Sequence, residues 1–248
     1  MYNLAYVSIC FILLFGSPLY ANEQNTEEKT VLKIITAPEV KEMLDKKRVI
    51  LINSLTSIEY IIQHIPGSIS IPFYTIDNTD KLPDDKTSPL IFYCMGKRCL
   101  YSKKASLKAI QMGYKNVYWF EGGIPDWYRF NYPMTVDKKL KSIKVTKLSP
   151  KKVIELMKRQ PTTIIDVKPK WWKSSDGIIE GTLYFPLVEL QETYTQIPRD
   201  KPVIITDALM RQSPSAARFL IHKGYQVLGV LKGGMTRWKK EGFPVIKE

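Results

Sequence analysis

Short apolar runs, each bounded by polar, Gly- or Pro-bearing stretches, recur along the chain from about residue 31 onward. Val49-Ile-Leu-Ile52, ending at Asn53, and Leu90-Ile-Phe-Tyr93, ending at Cys94, read as strands buried on both faces. Ile69-Ser-Ile71 alternates before Pro72, and Asn116-Val-Tyr-Trp-Phe120 supplies a further strand. Helical spacing falls between them. Thr36-Ala-Pro-Glu predicts a helix start with Thr36 as N-cap, followed by Val40, Met43 and Leu44 on one face. A second helix begins near Ser102, carries Ala105, Ala109 and Met112 on one face, and stops at Gly113. His64-Ile-Pro-Gly-Ser68 predicts a turn, residues 77–88 a polar loop, and Gly122-Gly123 a turn before Trp127.

The same order then returns. Ser149-Pro150 opens a helix, Thr163-Ile-Ile-Asp166 and Pro202-Val-Ile-Ile-Thr206 are strands, and Gly181 to Pro186 is turn and strand. Gly113-Tyr114 and Gly224-Tyr225, Gly123 and Gly234, Trp127 and Trp238, and Pro133 and Pro244 all stand 111 positions apart. Asn53 and Asp166 are 113 apart, Gly67 and Gly181 114. Unlike residue types holding one offset define a tandem duplication. The pattern predicts two α/β domains, 31–134 and 148–248, joined by a basic linker at 135–147 that lacks a clear apolar face. Strands alternating with helices predict mostly parallel sheets with helices on both faces, and a site beyond the strands' carboxyl ends.

Charge adds a partner expectation. The chain carries 37 Lys and Arg against 24 Asp and Glu, a formal charge of +13, which favours anionic partners or a dispersed, solubilising lysine surface. No nucleic-acid-binding motif accompanies it, so nucleic acid is not expected. Residues 1–21 are apolar without a charged side chain and end at Ala21, the pattern of a secretory signal peptide with a flexible leader at 22–30. Export to a bacterial periplasm is the expectation, with an uncleaved N-terminal anchor as the alternative; once the segment is cleaved, no stable membrane span is expected.

Outside that segment the cysteines are Cys94 and Cys99, too few for a disulfide scaffold and both in one loop. Cys94 follows a buried strand; Gly96 permits a tight turn, Lys97 and Arg98 follow, and a helix begins. Unpartnered N–H groups at such a strand-to-helix loop, with two cations, stabilise a thiolate and an adjacent anion. The residues alone leave two readings of Cys94 open: an exposed nucleophile, or a small core side chain ending a strand. Lys97 and Arg98 either bind an anionic donor or acidic carrier, or are merely solvated. His64 reads as a structural hydrogen-bonding group and His222 as a helix residue; no metal site or cofactor is expected. Trp171-Trp172 either lines an interdomain cleft or covers core.

On His64-Ile-Pro-Gly-Ser68, the loop 94–99, Gly113-Tyr114 and Gly122-Gly123…Trp127…Pro133, with their second-half repeats, the chain resembles tandem rhodanese domains over about residues 31 to 247. The resemblance implies sulfur transfer: the Cys94 thiolate takes the outer sulfur of a donor such as thiosulfate, becomes a persulfide, and passes the sulfur to a thiol or acidic protein acceptor. It makes Met95, Gly96, Lys97, Arg98 and Cys99 the substrate-binding loop. Cys99 then resolves the persulfide, forms a reversible disulfide with Cys94, or packs inertly. Asp207, at the second half's counterpart of Cys94, cannot form a persulfide, and Met210 stands where the family often has Gly, so that half is expected to be inactive. Phosphatases of this fold need Arg six residues after the nucleophile; Leu100 is there instead. A non-enzymatic persulfide carrier or partner-docking module, or a redox-switched thiol protein using Cys94 and Cys99, is the alternative function.

Overall fold

A computed structural model describes residues 32–170 and 177–246; the expected signal segment, the leader and Trp171-Trp172 lie outside the described residues. In the first half, β1 (Lys33–Ile34) leads to α1 (Ala37–Asp45), β2 (Ile50–Asn53), α2 (Ser57–Ile62), β3 (Gln63–His64), β4 (Ile69–Ser70), β5 (Leu90–Tyr93), α3 (Tyr101–Gln111), β6 (Val117–Phe120) and α4 (Gly123–Arg129). Then come β7 (Thr135–Val136) and α5 (Lys138–Ser142). The second half runs β8 (Lys147–Leu148), α6 (Pro150–Arg159), β9 (Thr163–Asp166), β10 (Leu183–Tyr184), α7 (Leu190–Thr193), β11 (Val203–Thr206), α8 (Ser213–His222), β12 (Val227–Leu231) and α9 (Gly234–Lys240).

Each half forms one parallel sheet. The orders are β1-β6-β5-β2-β4 and, in reverse, β8-β12-β11-β9-β10, which are the same topology. The apolar runs fix the centre: every residue of β5, β9 and β11 is buried, as strands covered by helices on both faces require. Helix starts follow local chemistry. The Glu39 carboxylate accepts the Thr36 N–H at 2.8 Å ahead of α1, and Ser149 accepts the Lys152 N–H at 3.2 Å ahead of α6.

The duplication holds at the level of single hydrogen bonds. Trp127 Nε1 donates to the Pro133 carbonyl at 2.7 Å, and Trp238 Nε1 to the Pro244 carbonyl at 2.8 Å. Asn53 Oδ1 accepts the Leu55 N–H at 2.9 Å; Asp166 Oδ1 accepts the Lys168 N–H at 3.0 Å. His64 does the structural work expected of it, with Nδ1 2.9 Å from the Tyr60 carbonyl and its ring stacked on Tyr60.

The stretch 135–147 is more than the tether its charge suggested. β7 pairs antiparallel with β3, and α5 buries Leu140 against a core that also holds Ile58 and Ile62 of α2 and Phe219 and Leu220 of α8. A single leucine among lysines gives no periodic signal, because its apolar neighbours come from both halves. The halves therefore share core. Arg211 Nη1 donates to the Arg98 carbonyl at 3.1 Å, and Gln212 Nε2 to the Tyr101 hydroxyl at 3.3 Å, so the loops after β5 and β11 face each other across the seam.

Trp238 is fully buried and bonded to the chain end that it anchors. Trp238→Ala is expected to destabilise the protein by about 3–5 kcal/mol, read from denaturant midpoints.

Candidate active site

Cys94 leaves the carboxyl end of β5, at the centre of its sheet, and the chain turns back over it before α3. Two glycines make that turn possible. Gly96 has φ +97, and the Cys99 N–H bonds the Gly96 carbonyl at 2.8 Å, closing the loop. Gly123, at φ +54, lets the start of α4 press on the loop: the Ile124 N–H reaches the Cys94 carbonyl at 3.1 Å, and a Cβ on Gly123 would stand 2.2 Å from that oxygen.

The Cys94 sulfur lies 3.1 Å from the Ser102 hydroxyl, which in turn accepts the Trp119 indole N–H at 3.0 Å. As a thiol, Cys94 donates to the Cys99 carbonyl at 3.0 Å, a contact that favours the neutral form. Burial also pushes this thiol up. Against both act hydrogen bonds from the Cys99 thiol, the Ser102 hydroxyl and the Ser102 and Gly96 N–H groups, which together hold Cys94 below the ordinary cysteine value. The partner moves the other way: its hydrogen bond to the Cys94 sulfur, then burial, then the Cys94 charge hold Cys99 well above the ordinary value. The two shifts run in opposite directions, so Cys94 is the thiol that ionises more readily.

Of the two readings left open for Cys94, the structure gives the buried position: the residue is 1% exposed, at the end of a core strand with the loop from Met95 to Ser102 beside it. One expectation needs correcting. Lys97 was expected to help stabilise the thiolate; it pairs instead with Glu121 at 3.5 Å, where both groups meet solvent. The lowered thiol rests on hydrogen bonds. Met95, Arg98 and Cys99 line a cavity of about 520 Å³ along the seam, bounded by Leu55, Glu59, Leu100 and Tyr101 of the first half and by Pro169, Asp207, Ala208, Leu209, Arg211 and Gln212 of the second. Gly96 and Lys97, again with Met95 and Arg98, border a second cavity of about 430 Å³ against Pro125, Asp126 and Arg129. Cys94 lines neither.

The second half keeps the cradle and changes its contents. Asp207 Oδ1 accepts the N–H groups of Leu209, at 3.0 Å, and Met210; Oδ2 accepts those of Gln212 and Ser213 at 2.6 and 2.8 Å. A carboxylate fills the place of the thiolate. Met210 takes the left-handed backbone, φ +60, that glycine takes in the first loop. Above the strand end, Asp166 and Lys168 form a buried pair at 3.0 Å; burial pushes the Asp166 carboxyl up to about 6, with the Lys168 charge pulling it down.

Sequence reasoning missed the Trp119 contact, the cavity and α2. Ser102 was visible only as a helix start. For α2 a signal existed in Thr56-x-x-Glu59, a capping box in which Glu59 accepts the Thr56 N–H at 3.1 Å. Trp119 gave none, since its partner is decided by the pairing of β6 with β5. Among the described residues no cluster of His, Cys, Asp and Glu is placed to hold a metal ion, and no helix is long and apolar enough to cross a membrane.

A cysteine at the end of the central parallel strand, with hydrogen-bond donors around its sulfur, is the candidate nucleophile of this chain. A profile of the rhodanese-like domain matches residues 36–130 and 149–241, and the chain belongs to that family. It is 31% identical over 113 residues to a tRNA uridine(34) hydroxylase of Erwinia tasmaniensis, covering 43% of this chain and 31% of that protein. A namesake from Hamiltonella defensa is 33% identical over 101 residues, 38% of this chain and 28% of that protein. The chain thus spans less than a third of the length of these curated relatives. Among solved structures, a thiosulfate sulfurtransferase from Pseudomonas aeruginosa aligns over 87% of this chain and 44% of its own at 17% identity, TM-score 0.44. A rhodanese-related protein from Thermoplasma volcanium covers 41% of this chain and 98% of its own at 27% identity, TM-score 0.38.

Removing the Ser102 hydroxyl takes a donor from the thiolate and none from the thiol, so Ser102→Ala is expected to raise the Cys94 value. The rate of Cys94 alkylation at neutral pH should then fall about tenfold, with its pH profile displaced upward.

Proposed function

We propose that the protein is a sulfurtransferase that takes a sulfane sulfur from a small anionic donor such as thiosulfate onto Cys94 and passes it to a thiophilic acceptor. The observation that carries this reading is the set of hydrogen bonds converging on the Cys94 sulfur. The ionised sulfur attacks the outer sulfur of the donor, the S–S bond to the donor breaks, and sulfite departs with the electron pair. Loop N–H groups that support the thiolate also support negative charge on the persulfide's outer sulfur. Met95 and Leu100, 45% and 52% exposed, are the solvent-facing apolar residues of the loop that a donor or acceptor would meet first. Arg98, between the two cavities, is the cation placed to meet an anionic donor or an acidic acceptor protein.

The apolar segment 1–21 supports export as part of the same proposal. The second half contributes the far wall of the seam cavity, and Asp207 excludes a second persulfide.

Thiosulfate-dependent cyanolysis by the wild type, lost in Cys94→Ser with the fold retained by circular dichroism, is the expected result. Undiminished turnover in Cys94→Ser, or protein-bound sulfur on another residue, contradicts the assignment.

A further inference from the structure

Two thiols share one loop and one apolar cluster, the Cys94 sulfur lies 3.0 Å from the Cys99 carbonyl, and Cys99 lines the seam cavity while Cys94 does not. Cys99 lines the 520 Å³ space along the seam, while Cys94 is buried beside it. The 2.8 Å bond from the Cys99 N–H to the Gly96 carbonyl folds the loop so that Cys99 stays against Cys94. Neither cysteine is in a disulfide.

We propose that Cys99 resolves the Cys94 persulfide, giving the protein a thiol-dependent, sulfide-releasing activity that runs through a Cys94–Cys99 disulfide. The inference rests on the sulfur-transfer reading above. Cys99 attacks the inner sulfur of Cys94–S–S⁻; a Cys94–Cys99 bond forms, the bond to the outer sulfur breaks, and hydrosulfide leaves with the Cys99 proton. The persulfide is reduced and the two thiols are oxidised, so this step needs no outside oxidant. Two equivalents of a thiol, or one dithiol, then restore the site and become a disulfide.

The placement of the two sulfurs also sets the direction of that reduction. A thiolate arriving through the cavity meets the Cys99 sulfur and expels Cys94, whose hydrogen-bonded thiolate is the better leaving group. The cavity's apolar side chains Leu55, Leu100 and Leu209, with Arg98 and Arg211 beside them, suit an organic thiol bearing an acidic group better than they suit cyanide. Transfer to an outside acceptor and internal resolution compete for one persulfide, and Cys99 decides between them.

The test treats the reduced full chain with thiosulfate and no added thiol, then measures released sulfide and intact mass. The wild type is expected to release one sulfide per chain and to lose the mass of two hydrogens, with Cys94 and Cys99 joined. Cys99→Ser and Cys99→Ala should instead gain the mass of one sulfur on Cys94 and release no sulfide until a thiol is added. A wild type that keeps the sulfur on Cys94 with Cys99 free overturns the inference and leaves the transfer reading standing. Absence of bound sulfur and of sulfide in all three proteins overturns the transfer reading, and the inference with it.

Discussion

A hydrogen-bond acceptor at the carboxyl end of a buried parallel strand, met by the loop and helix start that follow, is the contact on which both halves are built. In the first half the acceptor is the Cys94 sulfur, and in the second the Asp207 side-chain oxygens. The loops differ in sequence and length, and each includes a left-handed residue, Gly96 in one and Met210 in the other. Such a cradle needs an occupant, because buried N–H groups without acceptors are costly. Aspartate satisfies it permanently. Cysteine satisfies it in a form that can react.

The two halves differ at this position and agree around it. Their sheets share a strand order and their closing tryptophans share a hydrogen bond, so the second copy keeps the packing while giving up the sulfur. It touches the Cys94 loop across the seam. Ile58, Ile62 and Leu140 enter its core, and Arg211 and Gln212 reach the opposite loop at Arg98 and Tyr101. The second half thereby walls the space from which the first half's Cys99 is approached.

Strands and repeat were legible because they depend on local pattern. Leu90–Tyr93 and Thr163–Asp166 are continuous apolar runs, and the burial they imply is what the sheets provide. The 111-residue offset showed the duplication because Gly, Trp and Pro each hold a backbone or hydrogen-bonding role that no neighbour can take over. The sequence left the burial of Cys94 undecided between two readings, since a loop's path over its own strand end depends on contacts with α4 and β6. Nor was the role of α5, whose one leucine finds partners in two different halves. The cations beside Cys94 were easy to see and misleading. Lys97 turns to Glu121, while Ser102 and Trp119, on a helix and a neighbouring strand, reach the sulfur or its hydroxyl partner.

Sulfur transfer by this loop requires Cys94 to ionise below the ordinary cysteine value and ahead of Cys99. Titration of thiolate absorbance in the ultraviolet measures this without requiring a reagent to enter the loop. One thiolate should appear below the ordinary cysteine value of about 8.5 and vanish in Cys94→Ser, with the second appearing only well above it. A protein whose two thiols both titrate at or above the ordinary value, or whose low-titrating thiolate survives Cys94→Ser, would contradict the account.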